Sequence, residues 1–336
     1  MRAPDLPLLF VGRDVERDRQ EMEKRSIPFY GLRLEGLRRR WSLRNPRAVF
    51  RFGLGGLRCL WILSRRRRGV VFGVGGYVSA PAMAAGKVLG WSLILHEQNT
   101  VPGLVNRRLA RWCDTVLVTF EKTRDYWPNL PCVRTGFPLR REILESARVP
   151  VSPRETEMPT LLVMGGSQGA KALVERSLAA FRMLETGGVR LRAIVQTGER
   201  NYEWATALEH PGWVTLIPFI EDMAAVYAQT DLVIGRAGSG SLAEISCWGL
   251  PSILIPYPFA GEDHQRINAE VYAQAGAAEL IPEPELSPET LAERVRSLLR
   301  DTERRTEMGR KAKSFAHEGA ADRIVEEILR RLESFS

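Results

Sequence analysis

The 336-residue sequence has only four cysteines and four histidines. Cys59, Cys113, Cys132 and Cys247 stand far apart, so they form neither a metal knuckle nor a redox pair. Scattered thiols fit a reducing cytoplasm, and Met1 to Pro7 contains no apolar core of a secretion signal. There is no Asp-x-Asp pair. A transferase that holds a diphosphate through a divalent cation would show clustered carboxylates at a strand end. No metal and no cofactor are therefore expected, and the leaving group should be stabilised by helix dipoles and N–H donors. Long apolar runs are absent as well. Gly69–Gly86 and Ile245–Gly261 are uncharged, but Gly75, Gly76 and Pro81 break the first, and Pro251, Pro256 and Pro258 break the second. A spanning helix needs roughly 20 mostly apolar residues. No recognised nucleic-acid motif accompanies the basic charge, so a nucleic acid is not an expected partner.

The charge that is present is unevenly spread. Residues 1–150 carry 28 Lys and Arg against 13 Asp and Glu, whereas residues 151–336 carry 20 against 27. Only the first half is suited to an anionic surface. The basic excess is densest in Gly31–Arg68, with twelve arginines and one acid, Glu35. Phe50, Leu54, Leu57 and Trp61 interleave with it. Two readings fit this stretch: an interfacial helix on an anionic membrane surface, or a domain helix with these four residues in the core and its arginines solvated.

Short β-branched apolar runs alternate with amphipathic stretches along the whole chain. Strands are expected at 6–11, 27–34, 70–72, 92–95, 115–118 and 132–134, then at 160–164, 192–196, 213–217, 232–234, 252–255 and 278–281. Helices are expected at 15–25, 46–63, 80–89 and 101–112, then at 169–185, 222–229, 241–248 and 265–275. Ser287–Pro288 reads as a helix start. Nearly continuous apolar strands belong to parallel sheets covered on both faces. The fold class is α/β and doubly wound. The Pro- and charge-rich stretch 144–159 reads as a linker, dividing the chain into domains 1–144 and 145–336, with the last helix a candidate to pack back on the first domain.

Four motifs carry chemistry. Gly165–Gly166–Ser167–Gln168–Gly169–Ala170 follows a strand and opens a helix, where free N–H groups can hold a phosphate. A tight turn without a ligand is the plainer reading. Arg236–Ala237–Gly238–Ser239–Gly240–Ser241 sits in the same kind of position. Glu244 behind it could accept both hydroxyls of a ribose or merely face the helix dipole. Gly73–Pro81 is a third Gly-rich segment. His96–Glu97–Gln98–Asn99 lies at a strand's C-terminal end, where doubly wound sheets bind ligands. Asp263–His264–Gln265 could meet a sugar or cap a helix.

In this order, Gly-Gly-Tyr-Val-Ser-Ala-Pro at 75–81, His-Glu-Gln-Asn at 96–99, Gly-Gly-Ser-Gln-Gly-Ala at 165–170 and the block Arg236–Ala269 closely resemble the MurG family. The resemblance spans essentially the whole chain. It implies the GT-B architecture, two Rossmann-like domains facing across a cleft, and transfer of GlcNAc from UDP-GlcNAc to the undecaprenyl-linked acceptor lipid I. It also implies a peripheral place on the cytoplasmic face of the cell membrane. Carried over by position, Ser167 resembles a diphosphate contact, and Ile220 resembles the residue whose backbone reads uracil. Ser239, Gly240 and Ser241 resemble the helix-opening residues near the phosphates. Glu244 resembles the ribose ligand, Gln265 the GlcNAc ligand, and Asn99 and Arg140 further donor-site residues. Tyr77, His96 and Glu97 resemble acceptor-side residues, with His96 and Glu97 the candidate bases. The family's opening strand and its Gly-Gly-Thr-Gly-Gly-His loop have no counterpart in this sequence. The first domain is thus expected to lack one β–α unit of roughly 30–40 residues. Two alternatives stay open: a nucleotide-sugar-binding protein without transfer activity, and a transferase of the same fold with another lipid acceptor.

Overall fold

The computed structural model describes residues 6–34, 45–149, 158–166 and 170–335. The chain divides into two compact units: Met1–Glu97, Pro102–Arg134 and Asp322–Ser336 form the first, and Gln98–Val101 with Thr135–Ala321 form the second.

The first unit begins with β1 (Phe10–Arg13), α1 (Glu16–Lys24) and β2 (Phe29–Leu32), and β1 and β2 pair in parallel. After α2 (Asn45–Ser64) come β3 (Val70–Gly73), α3 (Gly76–Leu89), β4 (Ser92–Glu97), α4 (Leu104–Leu109), β5 (Thr115–Val118) and β6 (Cys132–Arg134). Strands β3 to β6 form a second parallel ladder in chain order. Among the described residues no ladder joins the two. The inner strands β4 and β5 are apolar throughout their centres because both faces are covered. Leu93, Leu95, Val116 and Val118 face Met83 of α3, Leu109 and Trp127. Ile94 and Leu117 alternate to the other face and meet Ile324 and Ile328 of the chain's last helix. That helix is pinned by Arg331, which donates to the Asp114 carbonyl at 2.8 Å and to Thr115 Oγ1 at 2.7 Å.

Helix α2 buries one side only. Ala48, Cys59, Ile62 and Leu63 are buried, and Cys59 and Leu63 pack on Leu32 and Leu34. Phe50, Leu54, Leu57 and Trp61 are each half or more exposed. Their spacing of four, three and four residues places them on one stripe. The reading that put these four in the core is therefore corrected: the core-facing stripe of α2 is the opposite one.

The second unit opens with α5 (Arg141–Ser146), and six parallel strands follow: β7 (Thr160–Met164), β8 (Arg192–Gln196), β9 (Val214–Ile217), β10 (Leu232–Gly235), β11 (Ser252–Leu254) and β12 (Glu279–Leu280). Their spatial order, β12-β11-β10-β7-β8-β9, reverses direction between β7 and β10. Such a switch point opens a crevice at the carboxyl ends of the strands. Between them run α6 (Lys171–Thr186), α7 (Tyr202–Thr206), α8 (Met223–Ala228), α9 (Ser239–Trp248) and α10 (His264–Gln274). The chain ends with α11 (Pro288–Arg300), α12 (Thr302–Lys313) and α13 (Ala320–Glu333). Alternate residues of β7 point to opposite faces. Leu161 and Val163 pack with α6 and α11, while Leu162 and Met164 pack with α8, α9 and Ile143 of α5. Local signals set several ends. Asp222 accepts the Ala225 N–H at 3.0 Å and starts α8, and Ser287 accepts the Thr290 N–H at 3.1 Å ahead of Pro288.

Candidate functional site

At the switch point β7 is followed by Gly165 and Gly166. Gly166 has φ +81°, a backbone state that suits glycine. Ser167 lies outside the described residues. On the neighbouring strand, Arg236 and Ala237 lead into α9. Gly238 holds the cap position with φ −68° and ψ 141°, and no side chain caps the helix. Ser239, Gly240 and Ser241 fill the first turn and are half-buried. A Cβ on Gly240 would touch the Phe137 ring at 3.4 Å, so the first turn lies close against that side chain. An uncapped helix start of small residues leaves N–H groups for an anion, and the dipole adds roughly 0.3–1 kcal/mol per charge.

Glu244 stands one turn further along α9, with its side chain 19% exposed. Its two oxygens have different neighbours. Oε2 accepts the Tyr227 hydroxyl at 2.9 Å, and Oε1 lies 3.9 Å from the Arg140 guanidinium. Tyr227 comes from α8 and is almost fully buried, its hydroxyl also 3.7 Å from Met164 Sδ. Burial raises the Glu244 carboxyl above the usual range, while the Tyr227 bond and the Arg140 charge pull it part of the way back. Burial pushes the Tyr227 phenol up, and the Glu244 charge adds to that. Arg140 precedes α5 and its side chain is 63% exposed. Ile220, in the loop before α8, is buried in the cluster that holds Met164, Tyr227 and Ile245.

A second group gathers around Asn268 of α10, which is fully buried. Its amide donates to Asn99 Oδ1 at 3.2 Å and to the Ala237 carbonyl at 3.2 Å. Its oxygen accepts the Thr100 N–H at 2.9 Å. Asn99 is thereby tied to the segment that opens α9. Arg236 is buried, pairs with Glu283 and donates to the carbonyls of Ile255 and Pro256 at 3.1 and 3.2 Å. That fixes the Pro-rich loop ahead of α10. Gln265, in the first turn of α10, accepts the Tyr257 N–H at 3.0 Å through Oε1. Asp263 does not cap α10; it adopts a left-handed backbone and pairs with Arg266.

The first-unit residues form a separate arrangement. His96 and Glu97 are the last two residues of β4 rather than a segment after it, and both are 1% exposed. The His96 ring leans on Phe72 at 6.4 Å between centroids. Glu97 Oε2 accepts the Asn106 amide at 2.6 Å. Gly75 has φ +92°, and a Cβ there would lie 2.7 Å from the same amide nitrogen. Gly75–Gly76 therefore turns directly into α3. Tyr77 is half-buried in its first turn, against the cluster of Leu32, Leu34 and Cys59.

Tyr227, Asn268, Glu283 and Asn106 carry no role in the sequence reading, and Arg236 enters it only as the first residue of the Gly-Ser motif. Asn268 left a faint signal, an amide on the helix face that also carries Tyr272. Among the described residues no three His, Cys, Asp or Glu side chains gather as metal ligands.

Residues 160–324 match the glycosyltransferase family 28 C-terminal domain, and residues 9–118 match its N-terminal domain. Over 330 residues the chain is 39% identical to the UDP-N-acetylglucosamine–N-acetylmuramyl-(pentapeptide) pyrophosphoryl-undecaprenol N-acetylglucosamine transferase of Geobacter sulfurreducens, covering 96% of this chain and 89% of that one. The chain belongs to the MurG family. A relative of the same name from Desulforamulus reducens is 33% identical across 98% of this chain and 92% of its own. The crystal structure of Acinetobacter baumannii MurG superposes with a TM-score of 0.74 at 29% identity, over 95% of this chain and 89% of that one. The fold is GT-B, with two α/β units built on parallel sheets, and the chain is a MurG-family glycosyltransferase.

Proposed function

We propose that this chain is an inverting transferase acting in peptidoglycan synthesis on the cytoplasmic face of the bacterial membrane. It moves GlcNAc from UDP-GlcNAc to the C4 hydroxyl of MurNAc in undecaprenyl-pyrophosphoryl-MurNAc-pentapeptide, converting lipid I to lipid II. The observation that carries this reading is the match along almost the whole chain to relatives bearing that name. The chemistry at the switch point supports it. The open N-terminus of α9, at Ser239, Gly240 and Ser241, suits the diphosphate, with Ser167 as a further contact. Glu244 accepts ribose hydroxyls with Arg140 beside it, the Ile220 backbone reads uracil, and Gln265 and Asn99 meet the sugar side. The C4 oxygen attacks C1, the C1–O bond to the diphosphate breaks, and its electron pair leaves with UDP, where helix N–H groups offset the growing charge. One base takes the hydroxyl proton. His96 and Glu97, the last two residues of β4, are the candidates for that base. Tyr77 belongs to the acceptor side.

Transfer of radiolabelled GlcNAc to a lipid I analogue tests the reading. The account expects β-1,4-linked product, with kcat lowered by His96→Gln or by Glu97→Gln, whichever removes the base. UDP binding without any transfer would favour a nucleotide-sugar-binding protein, and transfer to a diacylglycerol instead would favour another lipid acceptor.

The acceptor is lipid-borne, and the exposed stripe of α2 supplies a matching surface. Phe50, Leu54, Leu57 and Trp61 face outward, and the Arg65 guanidinium lies 4.3 Å over the Trp61 ring. Arginines near an anionic leaflet contribute about 1 kcal/mol each, and the apolar stripe adds burial. Among the described residues no helix is long and apolar enough to cross a membrane. Co-sedimentation with vesicles containing phosphatidylglycerol should fall for Trp61→Ser combined with Phe50→Ser. Binding indifferent to these changes, to salt and to anionic lipid would exclude this surface.

A further inference from the structure

Among the buried polar groups of the second unit, one tyrosine hydroxyl has a bonding pattern that bears on specificity. Tyr227 is buried among Met164, Ile220, Val226 and Ile245. A phenol placed there must find a partner, because an unpaired buried hydroxyl is costly. Its partner is Glu244 Oε2 at 2.9 Å. A phenylalanine would fill the same apolar space, so packing alone does not account for the hydroxyl. What the hydroxyl adds is a fixed direction. It holds one carboxylate oxygen inward, and the other, Oε1, lies toward the exposed Arg140.

A carboxylate offers about four lone-pair sites. With one engaged by Tyr227, the outward oxygen and the remaining site on Oε2 are left in a set orientation toward two neighbouring hydroxyls. Ionised groups make stronger hydrogen bonds than neutral ones, and a donor on the carboxylate favours its ionised form. We infer that Tyr227 is a positioning residue that aims Glu244 at the nucleotide sugar and thereby sets the preference for a ribose over a deoxyribose. This rests on the proposed ribose role of Glu244. Tyr227 itself touches no ligand; it acts through the carboxylate.

The test compares binding of UDP and 2′-deoxy-UDP to the full chain by calorimetry, for the unaltered protein, Tyr227→Phe, Glu244→Gln and the double variant. The unaltered protein should prefer UDP by about tenfold, the scale of one hydrogen bond to a charged group. Tyr227→Phe should weaken UDP about fivefold and 2′-deoxy-UDP hardly at all, so that the preference contracts. It should also move the acid limb of UDP binding to higher pH, because Glu244 without its donor takes up a proton earlier. In the double variant the effect of Tyr227→Phe should vanish.

If Tyr227→Phe leaves the ratio unchanged while Glu244→Gln abolishes it, the positioning role is overturned and the ribose reading survives. If Glu244→Gln leaves the ratio unchanged, the ribose reading itself falls. Equal weakening of both nucleotides by Tyr227→Phe would mark a purely structural residue and overturn the proposal. Should Tyr227→Phe fail to fold, 3-fluorotyrosine at position 227 serves instead: its more acidic phenol should move the acid limb to lower pH, and an unmoved limb would count against the role.

Discussion

The two units use the same local device, a parallel strand running through glycines into a helix, and use it differently. In the first, Gly75 brings the start of α3 against Asn106, whose amide is bonded to Glu97. One side chain, Asn106, thus fills the space beside the cap glycine, although no side chain caps α3. In the second, Gly238 opens α9 with nothing within 4 Å of where its Cβ would be, and no side chain caps the helix. The lesson is that a Gly-rich strand-to-helix segment does not by itself mark a ligand site. What differs is the neighbour of the cap glycine, Asn106 beside Gly75 and open space beside Gly238.

A change at Gly75 should break the comparison most sharply. Gly75→Ala must force a residue with a Cβ into φ +92° against Asn106. It should cost roughly 1–3 kcal/mol in chemical denaturation, whereas a neutral result would mean that the Asn106 contact is loose. Next in size, Arg140→Ala should weaken UDP by about two- to fivefold, and less in high salt, because its exposed guanidinium is 3.9 Å from Glu244. Gly238→Ser should act in opposite directions on stability and binding. A serine hydroxyl there can cap α9, raising stability by roughly 0.2–0.5 kcal/mol, while competing with an incoming phosphate for the same N–H groups. Equal UDP affinity with a raised melting temperature would show that the N–H groups are not the phosphate ligands.

A pH series sharpens the picture of Glu244. Burial raises its folded-state pKa above the unfolded value. Its contribution to stability is therefore fully present below the unfolded pKa and is lost as pH rises through the folded one. Ligand binding should run the other way, since only the carboxylate accepts both ribose hydroxyls. UDP affinity should fall as pH drops through that raised value. The smallest effect concerns thiols. Burial pushes Cys59 up to about 11 and Cys113 up to about 12. At pH 8 the half-buried Cys132 should therefore be labelled before either of them, as peptide mapping after brief alkylation would show.

Much of this architecture is legible in the sequence. Thr115–Val118, Cys132–Arg134, Thr160–Met164 and Arg192–Gln196 run between their expected ends because their apolar runs stop at polar or turn residues. The misses have physical reasons. The sequence reads as a helix only from Ala80, yet α3 begins at Gly76, where two positive-φ glycines make the turn. His96 and Glu97 read as a segment after a strand because they are polar. They extend β4 because the Glu97 carbonyl accepts the Thr119 N–H at 3.0 Å and its carboxylate finds Asn106. Glu244 is legible as a carboxylate behind a helix start, but its tyrosine is not. Tyr227 reaches it from another helix, across the β7–β10 face, and no spacing rule links two such positions. The α2 stripe was ambiguous for a related reason: periodicity shows that a helix has a face, but not which face meets the core.

The central claim is that the second unit grips a uridine diphosphate between the open start of α9 and the Glu244 carboxylate. Calorimetric titration of UDP into the intact chain and into Glu244→Ala tests it most directly. The account predicts saturable one-to-one binding, weakened in the variant by about 1–3 kcal/mol, a factor of roughly 5 to 150. Identical affinity in the two proteins, or no uridine nucleotide binding in either, would contradict it.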